Sequence, residues 1–343
     1  MNMGLKALSL VVAAIVAFGL FAGPQKGDCE SVELKFDGRT FKDGIDGLIT
    51  VRRELMAARG CRPDAPIALV ATGNAIVDRE LLKYADKCSN VTTRAVSPEL
   101  ARKSPLCNAC APKTRVMEYH GARGTDWWTD RLQIKRDQIL RQPQGEFDVV
   151  MFGDSITHFF EWPYFDPTYD KFIWRYRTLN LGYGGDRTDN VIWRCENGEL
   201  DGYRAKCVTL MIGTNNPDSP QDVAAGIRRI LDLIAEKQPQ ATTVLLPIFP
   251  RGESASDPSR VKNEKVNKLI RAFADGKKVL WLDFNDQLVN EKGDVIDFFG
   301  RDRLHPNARG YKVWLEALTP IVEHIVRSEK GHCAFAPTCA RAR

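Results

Sequence analysis

"FDVVMFGDSITHFF", Phe147 to Phe160, opens on a largely apolar run and then breaks at Gly153-Asp154-Ser155. A short apolar run closed by a glycine-bearing corner predicts a strand buried on both faces. The pattern recurs at Thr178 to Leu181, Cys207 to Ile212, Thr243 to Ile248 and Val279 to Phe284. Each strand is followed by a helical periodicity, and these include Arg187 to Cys195, Gln221 to Glu236, Ser259 to Ala274, and Pro306 to about Arg327. Strict alternation of apolar strands and helices predicts an α/β fold, a three-layer αβα sandwich around a five-stranded parallel sheet.

In open sheets of this kind the ligand crevice lies beyond the carboxyl ends of the strands. The informative residues are therefore Gly153-Asp154-Ser155, Gly182-Tyr183-Gly184-Gly185-Asp186 and Gly213-Thr214-Asn215-Asn216. Taken alone, each corner reads as a turn with a helix cap, because Asp and Ser accept orphan N–H groups. The glycines at 182, 184 and 185 lack the spacing of a nucleotide fingerprint, and no Gly-Lys-Ser/Thr follows. The stretch "FGRDRLHPNARGY" near the C-terminus adds chemistry to the first corner. A serine hydroxyl needs a base within reach, and that base needs an orienting acceptor. Asp302 and His305, three apart before Pro306, can supply both.

In order and context, "FGDS", "NLGYGG", "GTNN" and "DRLHP" resemble the SGNH, or GDSL, hydrolase family, in particular the branch that contains the platelet-activating-factor acetylhydrolase catalytic subunits and their bacterial relatives. The resemblance covers about residues 145 to 328. It implies a flavodoxin-like sheet, with Ser155 as nucleophile, His305 as base and Asp302 as the residue that orients it. It implies an oxyanion hole formed by the amides of Ser155 and Gly185 and the side chain of Asn215, with no cofactor and no metal. It also implies an esterase of short acyl groups, chiefly acetyl. An O-acetylated carbohydrate is the expected carrier, and a platelet-activating-factor-like or short-chain lipid ester is the alternative. A carbohydrate-binding module without catalysis is the reading from another class. Trp162, Tyr164, Trp174 and Tyr183 are candidates for stacking on sugar faces, although large aromatic residues are commonly core.

The rest of the chain sets the context. Residues 1–22 carry an early lysine and an apolar run ending in small residues, the layout of a secretory signal peptide and short for a membrane span, so a secreted or periplasmic protein is expected. Residues 23–115 form a small Cys-rich segment of unknown role, in which "SVELKFD", "DGLITVRRELMAARG" and "APIALVAT" read as strand, helix and strand, with Lys87 to Lys113 as a loop or linker. Residues 116–144 are a linker and lead-in helix, 145–328 the hydrolase domain and 329–343 a tail. Nine cysteines suit disulfides in an oxidising compartment; Cys195 and Cys207, on apolar faces, are expected as buried free thiols, and Cys107-Asn-Ala-Cys110 is a redox or metal pair in the minor reading. A net charge of +5 over 343 residues, without a long basic run, does not argue for nucleic acid. The expected partner is a small-molecule, oligosaccharide or polysaccharide ester, without a membrane span in the mature chain; a homodimer is compatible with the sequence.

Overall fold

The computed structural model describes residues 32–36, 41–61, 66–71, 77–79, 81, 84, 91–94, 107–115, 126–142, 145–162 and 167–328. The expected signal peptide, the C-terminal tail, Tyr164, and Cys29, Cys88, Cys333 and Cys339 lie outside these residues, as does the side chain of Cys61.

The main sheet has five parallel strands: β4 (Glu146–Gly153), β5 (Thr178–Gly182), β6 (Arg204–Met211), β7 (Thr242–Leu245) and β8 (Val279–Trp281). Their order across the sheet is β5-β4-β6-β7-β8, so the chain runs first to one side of β4 and then to the other. The reversal leaves a crevice at the carboxyl ends of β4 and β6, where Gly153 and Met211 are register partners. The period of two along β4 sorts its side chains into two cores. Val150 and Phe152 join one cluster, which includes Val191 and Ile192 of α5 (Thr188–Arg194) and Ile227 and Ile230 of α6 (Pro220–Lys237). Val149 and Met151 join the other, with Tyr311, Trp314 and Leu318 of α8 (Ala308–Ser328). Burial on both faces explains why these strands read as apolar runs.

Several boundaries differ from the sequence pattern, since β6 begins earlier, at Arg204, and β8 ends earlier, at Trp281; two further differences have identifiable reasons. β7 ends at Leu245 rather than Ile248, because the Ile248 amide leaves the ladder and donates to Asn267 Oδ1 at 2.7 Å on α7 (Pro258–Ile270). The helix that begins at Thr188 widens into a π turn over Cys195–Glu199, where Gly198 adopts φ 108°.

The N-terminal segment corrects one expectation. Val91–Arg94 lies within the stretch read as a linker, yet forms β3, which pairs in parallel with β2 (Ile67–Val70), itself beside β1 (Val32–Lys35). The segment shares its core with the rest of the chain. Leu48, Val51 and Leu55 of α1 (Gly44–Cys61) are buried in the same cluster as Trp128 and Leu132 of α2 (Trp127–Arg141) and Phe152 of the main sheet. Burying each such side chain contributes about 1.5–3 kcal/mol. Ion pairs Arg52–Asp130 (2.8 Å) and Asp43–Arg136 (2.6 Å) pin α1 to α2. Among the described residues, no helix is long and apolar enough to cross a membrane.

Candidate active site

The first corner turns directly from β4 into a one-turn helix, α3 (Ser155–His158). Asp154 caps it, its Oδ1 accepting the Ile156 N–H at 2.9 Å. Gly153 is required by proximity: a Cβ there would lie 2.1 Å from Thr157 Oγ1 and 2.7 Å from the Met211 carbonyl oxygen. From α8, the buried Tyr311 hydroxyl donates to the Ile156 carbonyl at 2.8 Å and ties the corner to the far layer.

His305 Nε2 is 2.7 Å from Ser155 Oγ, and its Nδ1 is 2.6 Å from Asp302 Oδ2. With the carboxylate accepting from Nδ1–H, Nε2 is left as the acceptor for the serine hydroxyl. The other carboxylate oxygen of Asp302 accepts the backbone N–H groups of Leu304 (3.0 Å) and His305 (3.1 Å). The turn that permits this places Arg303 at φ 52°, a left-handed conformation uncommon for a residue with a side chain. Burial works to raise the Asp302 pKa, but the His305 ring and the two backbone donors outweigh it and hold the carboxyl below its usual range. The structure therefore brings Ser155, His305 and Asp302 into one hydrogen-bonded chain.

The second and third corners meet beside this chain. Asn215 Nδ2 donates to the Asp186 carbonyl at 3.1 Å, which ties one corner to the other. Asn216 accepts the Thr188 N–H (3.1 Å) and donates to Thr188 Oγ1 (3.0 Å), so the start of α5 is fixed to the third corner. Gly185 has φ 72°, open to glycine without strain. Beneath it, the fully buried Asp186 carboxylate accepts from Trp128 Nε1 (2.9 Å) and Arg194 Nε (3.0 Å), with Arg115 at 3.3 Å.

Further residues of the crevice carried weaker sequence signals. His158 and Phe159 follow Ser155 at i+3 and i+4, on one helical face. Phe159 packs against the His305 ring at 4.7 Å and stacks on the half-exposed Trp162 at 4.3 Å. Burial, with Arg131 and Lys135 adding, pushes the His158 pKa down to about 3 against the opposing Glu161, so this imidazole is neutral. Its Nδ1 has no hydrogen-bond partner among the described residues. Burial, helped by Asp186 and opposed by the Ile156 N–H and Arg251, pushes Asp154 up to about 7. Of the stacking candidates, Tyr183 takes the core alternative: it is fully buried, with the Arg194 guanidinium 4.0 Å from its ring. Trp174 lies exposed on α4 (Pro167–Arg175). Cys195 and Cys207 are free, buried thiols, each pushed up to about 12 by burial. Cys107 and Cys110 are also free. The described residues hold no cluster of His, Cys, Asp and Glu that could bind a metal.

Residues 151–313 match the GDSL-like lipase/acylhydrolase family. The platelet-activating factor acetylhydrolase IB subunit alpha1 of Pongo abelii is 35% identical over 230 residues, covering 65% of this chain and 94% of the relative. The alpha2 subunit of Rattus norvegicus is 36% identical over 196 residues, covering 55% of this chain and 80% of the relative. A GDSL-like lipase from Bacteroides thetaiotaomicron superposes with a TM-score of 0.46 at 17% identity, covering 56% of this chain and 96% of that one. The protein is a hydrolase that acts on esters. It belongs to the GDSL-like lipase/acylhydrolase family.

Proposed function

We propose that the protein is a serine esterase that removes acetyl groups from O-acetylated carbohydrate. The observation that carries the reading is the hydrogen-bonded chain from Ser155 Oγ through His305 to Asp302, at the carboxyl end of β4. In the proposed cycle, His305 Nε2 takes the hydroxyl proton as Ser155 Oγ attacks the ester carbonyl. The negative charge formed on the carbonyl oxygen is met by N–H donors from Ser155, Gly185 and Asn215 Nδ2. Collapse of the tetrahedral intermediate breaks the bond to the carrier oxygen, and His305 returns its proton to that oxygen. Water, deprotonated by the same imidazole, then releases acetate and restores the serine.

The acetyl preference is supported by the relatives, which are named acetylhydrolases. The carbohydrate carrier is supported by the Trp162–Phe159 stack beside His305. The carrier oxygen must leave next to the imidazole that protonates it, so the carrier lies over this aromatic pair, whose flat face suits the apolar face of a sugar ring. The relatives' names equally favour a second reading, an acetylated ether phospholipid. Acetate release should be measured from a panel of acetylated oligosaccharides and from platelet-activating factor side by side. Faster turnover of the sugar esters is expected; a higher kcat/KM on the phospholipid would replace the first reading with the second. Failure to turn over even p-nitrophenyl acetate would leave only a binding module.

A further inference from the structure

Residues 107–115, from the segment that precedes the hydrolase block, form a strap laid over the second corner and the start of α5. The Cys107 carbonyl accepts the N–H groups of Cys110 and Ala111, both at 2.9 Å, closing a turn. The buried Ala109 carbonyl at its tip accepts Thr188 Oγ1 at 2.7 Å. Lys113 is bonded twice, its N–H donating to the Asp189 carbonyl (3.1 Å) and its carbonyl accepting Asn190 Nδ2 (3.0 Å). The strap ends by burying Arg115, whose side chain is only 4% exposed.

The Arg115 guanidinium donates to the Gly184 carbonyl and reaches Asp186 Oδ1 at 3.3 Å. A Cβ on Gly185 would lie 2.9 Å from both terminal nitrogens, so the guanidinium is packed directly against this backbone. The Gly184 carbonyl and the Gly185 N–H belong to one planar trans peptide, in which C=O and N–H point in opposite directions. A donor fixed on the carbonyl therefore sets the direction of the N–H. A charged donor also polarises the peptide and makes that N–H a stronger donor in turn. The Gly185 position, flanked by Gly184, has little steric resistance of its own to rotation of this peptide.

We propose that Arg115 is a positioning residue of the oxyanion hole, gripping the carbonyl end of the Gly184–Gly185 peptide so that its N–H is held toward the substrate oxygen. This inference rests on the esterase reading and assigns a role to the end of the N-terminal segment: it supplies part of the machinery that stabilises the transition state. An interaction felt only as charge develops lowers kcat and leaves KM nearly unchanged when it is removed.

The test uses the full chain and p-nitrophenyl acetate, with Ser155→Ala measured in parallel. Arg115→Met keeps volume and removes the donor. Loss of a direct oxyanion donor costs about 10²–10³ in turnover; for an indirect grip, a fall of about 10- to 100-fold in kcat is expected, with KM within about threefold. Arg115→Lys, which keeps the charge beside Asp186 and a donor, should recover part of the loss. If Arg115→Met does not fold, Arg115→Met/Asp186→Asn carries the same expectation without leaving the buried Asp186 carboxylate with Arg194 as its one remaining cationic neighbour among the described residues. A folded donor-less variant with kcat within twofold of the parent, or with the whole loss in KM, overturns the proposal provided Ser155→Ala is inactive. Full activity in Ser155→Ala would instead overturn the esterase reading itself.

Discussion

Replacing Asp302 by asparagine should damage the enzyme more than replacing it by alanine, although asparagine is the closer isostere. Asp302 Oδ2 faces His305 Nδ1 at 2.6 Å, while Oδ1 is held by the N–H groups of Leu304 and His305. In alanine the carboxylate charge is lost. Two unit charges at ~4 Å interact by about 1 kcal/mol in water and about 4 kcal/mol at an effective dielectric of ~20. The Asp302 side chain is 51% exposed, so the lower part of that range applies. A loss of about 1–3 kcal/mol, or roughly 5- to 150-fold in kcat/KM, is expected for Asp302→Ala. In Asp302→Asn the two backbone donors keep Oδ1 where it is, and the amide NH₂ then faces Nδ1. The imidazole must accept there and carry its proton on Nε2, where it cannot take the serine proton. The wrong tautomer in a comparable triad costs ~10⁴ in kcat. Flipping the amide would restore the tautomer but break two backbone hydrogen bonds, at about 0.5–1.5 kcal/mol each. The loss for Asp302→Asn should therefore fall between about 10²- and 10⁴-fold and exceed that for alanine. Hydrolysis of p-nitrophenyl acetate by both variants, with their melting curves matched, decides it. An asparagine variant as active as the alanine variant, or more so, would refute the tautomer argument.

Three other outcomes are expected. If the acyl pocket fits acetyl and little more, a longer chain overpacks it at about 1–3 kcal/mol, so p-nitrophenyl acetate should exceed the octanoate by roughly 5- to 150-fold in kcat/KM; a steady rise with chain length would remove the acetyl preference. Burial raises Asp154 from 3.8 to about 7, so between those values the folded protein holds a proton that the unfolded chain has released. Stability should fall as pH rises through that window and level off above it. Asp154→Asn, which keeps the acceptor for the Ile156 N–H, should flatten this slope in urea denaturation at several pH values, by at most about 4 kcal/mol, and an unchanged slope would contradict it. Tyr311→Phe should lose about 1–3 kcal/mol by leaving the Ile156 carbonyl unpaired in the core, and a loss under ~0.5 kcal/mol would show that hydrogen bond to be unimportant.

The parts of this protein that were legible in the sequence are those whose physics is local. β4 and β6 are buried on both faces, so their apolar runs stood out, and the residues after them had to line the crevice. Asp302 and His305 are one turn apart, and their contact needs no distant information. β3 was hidden because Val91-Thr-Thr-Arg94 is short and mostly polar, among residues typical of loops. Arg115 and Arg194 were illegible for a different reason. A charged residue is ordinarily solvated, and nothing local marks those that fold against a buried carboxylate such as Asp186, which is 71 residues from Arg115. Tyr183 stayed open between stacking and core because nothing local says which way a glycine-rich corner turns its ring; the corner folds it inward onto Arg131 and Arg194.

The central claim is that Ser155 attacks the ester. Diethyl p-nitrophenyl phosphate transfers a stable phosphoryl group to an activated serine, so the full-length protein should be treated with it and then analysed by intact mass and peptide mapping. The account predicts one adduct per chain, on Ser155, forming in step with the loss of esterase activity and absent from Ser155→Ala. Inactivation with the adduct on another residue, or full activity in a protein whose Ser155 is stoichiometrically modified, would contradict it.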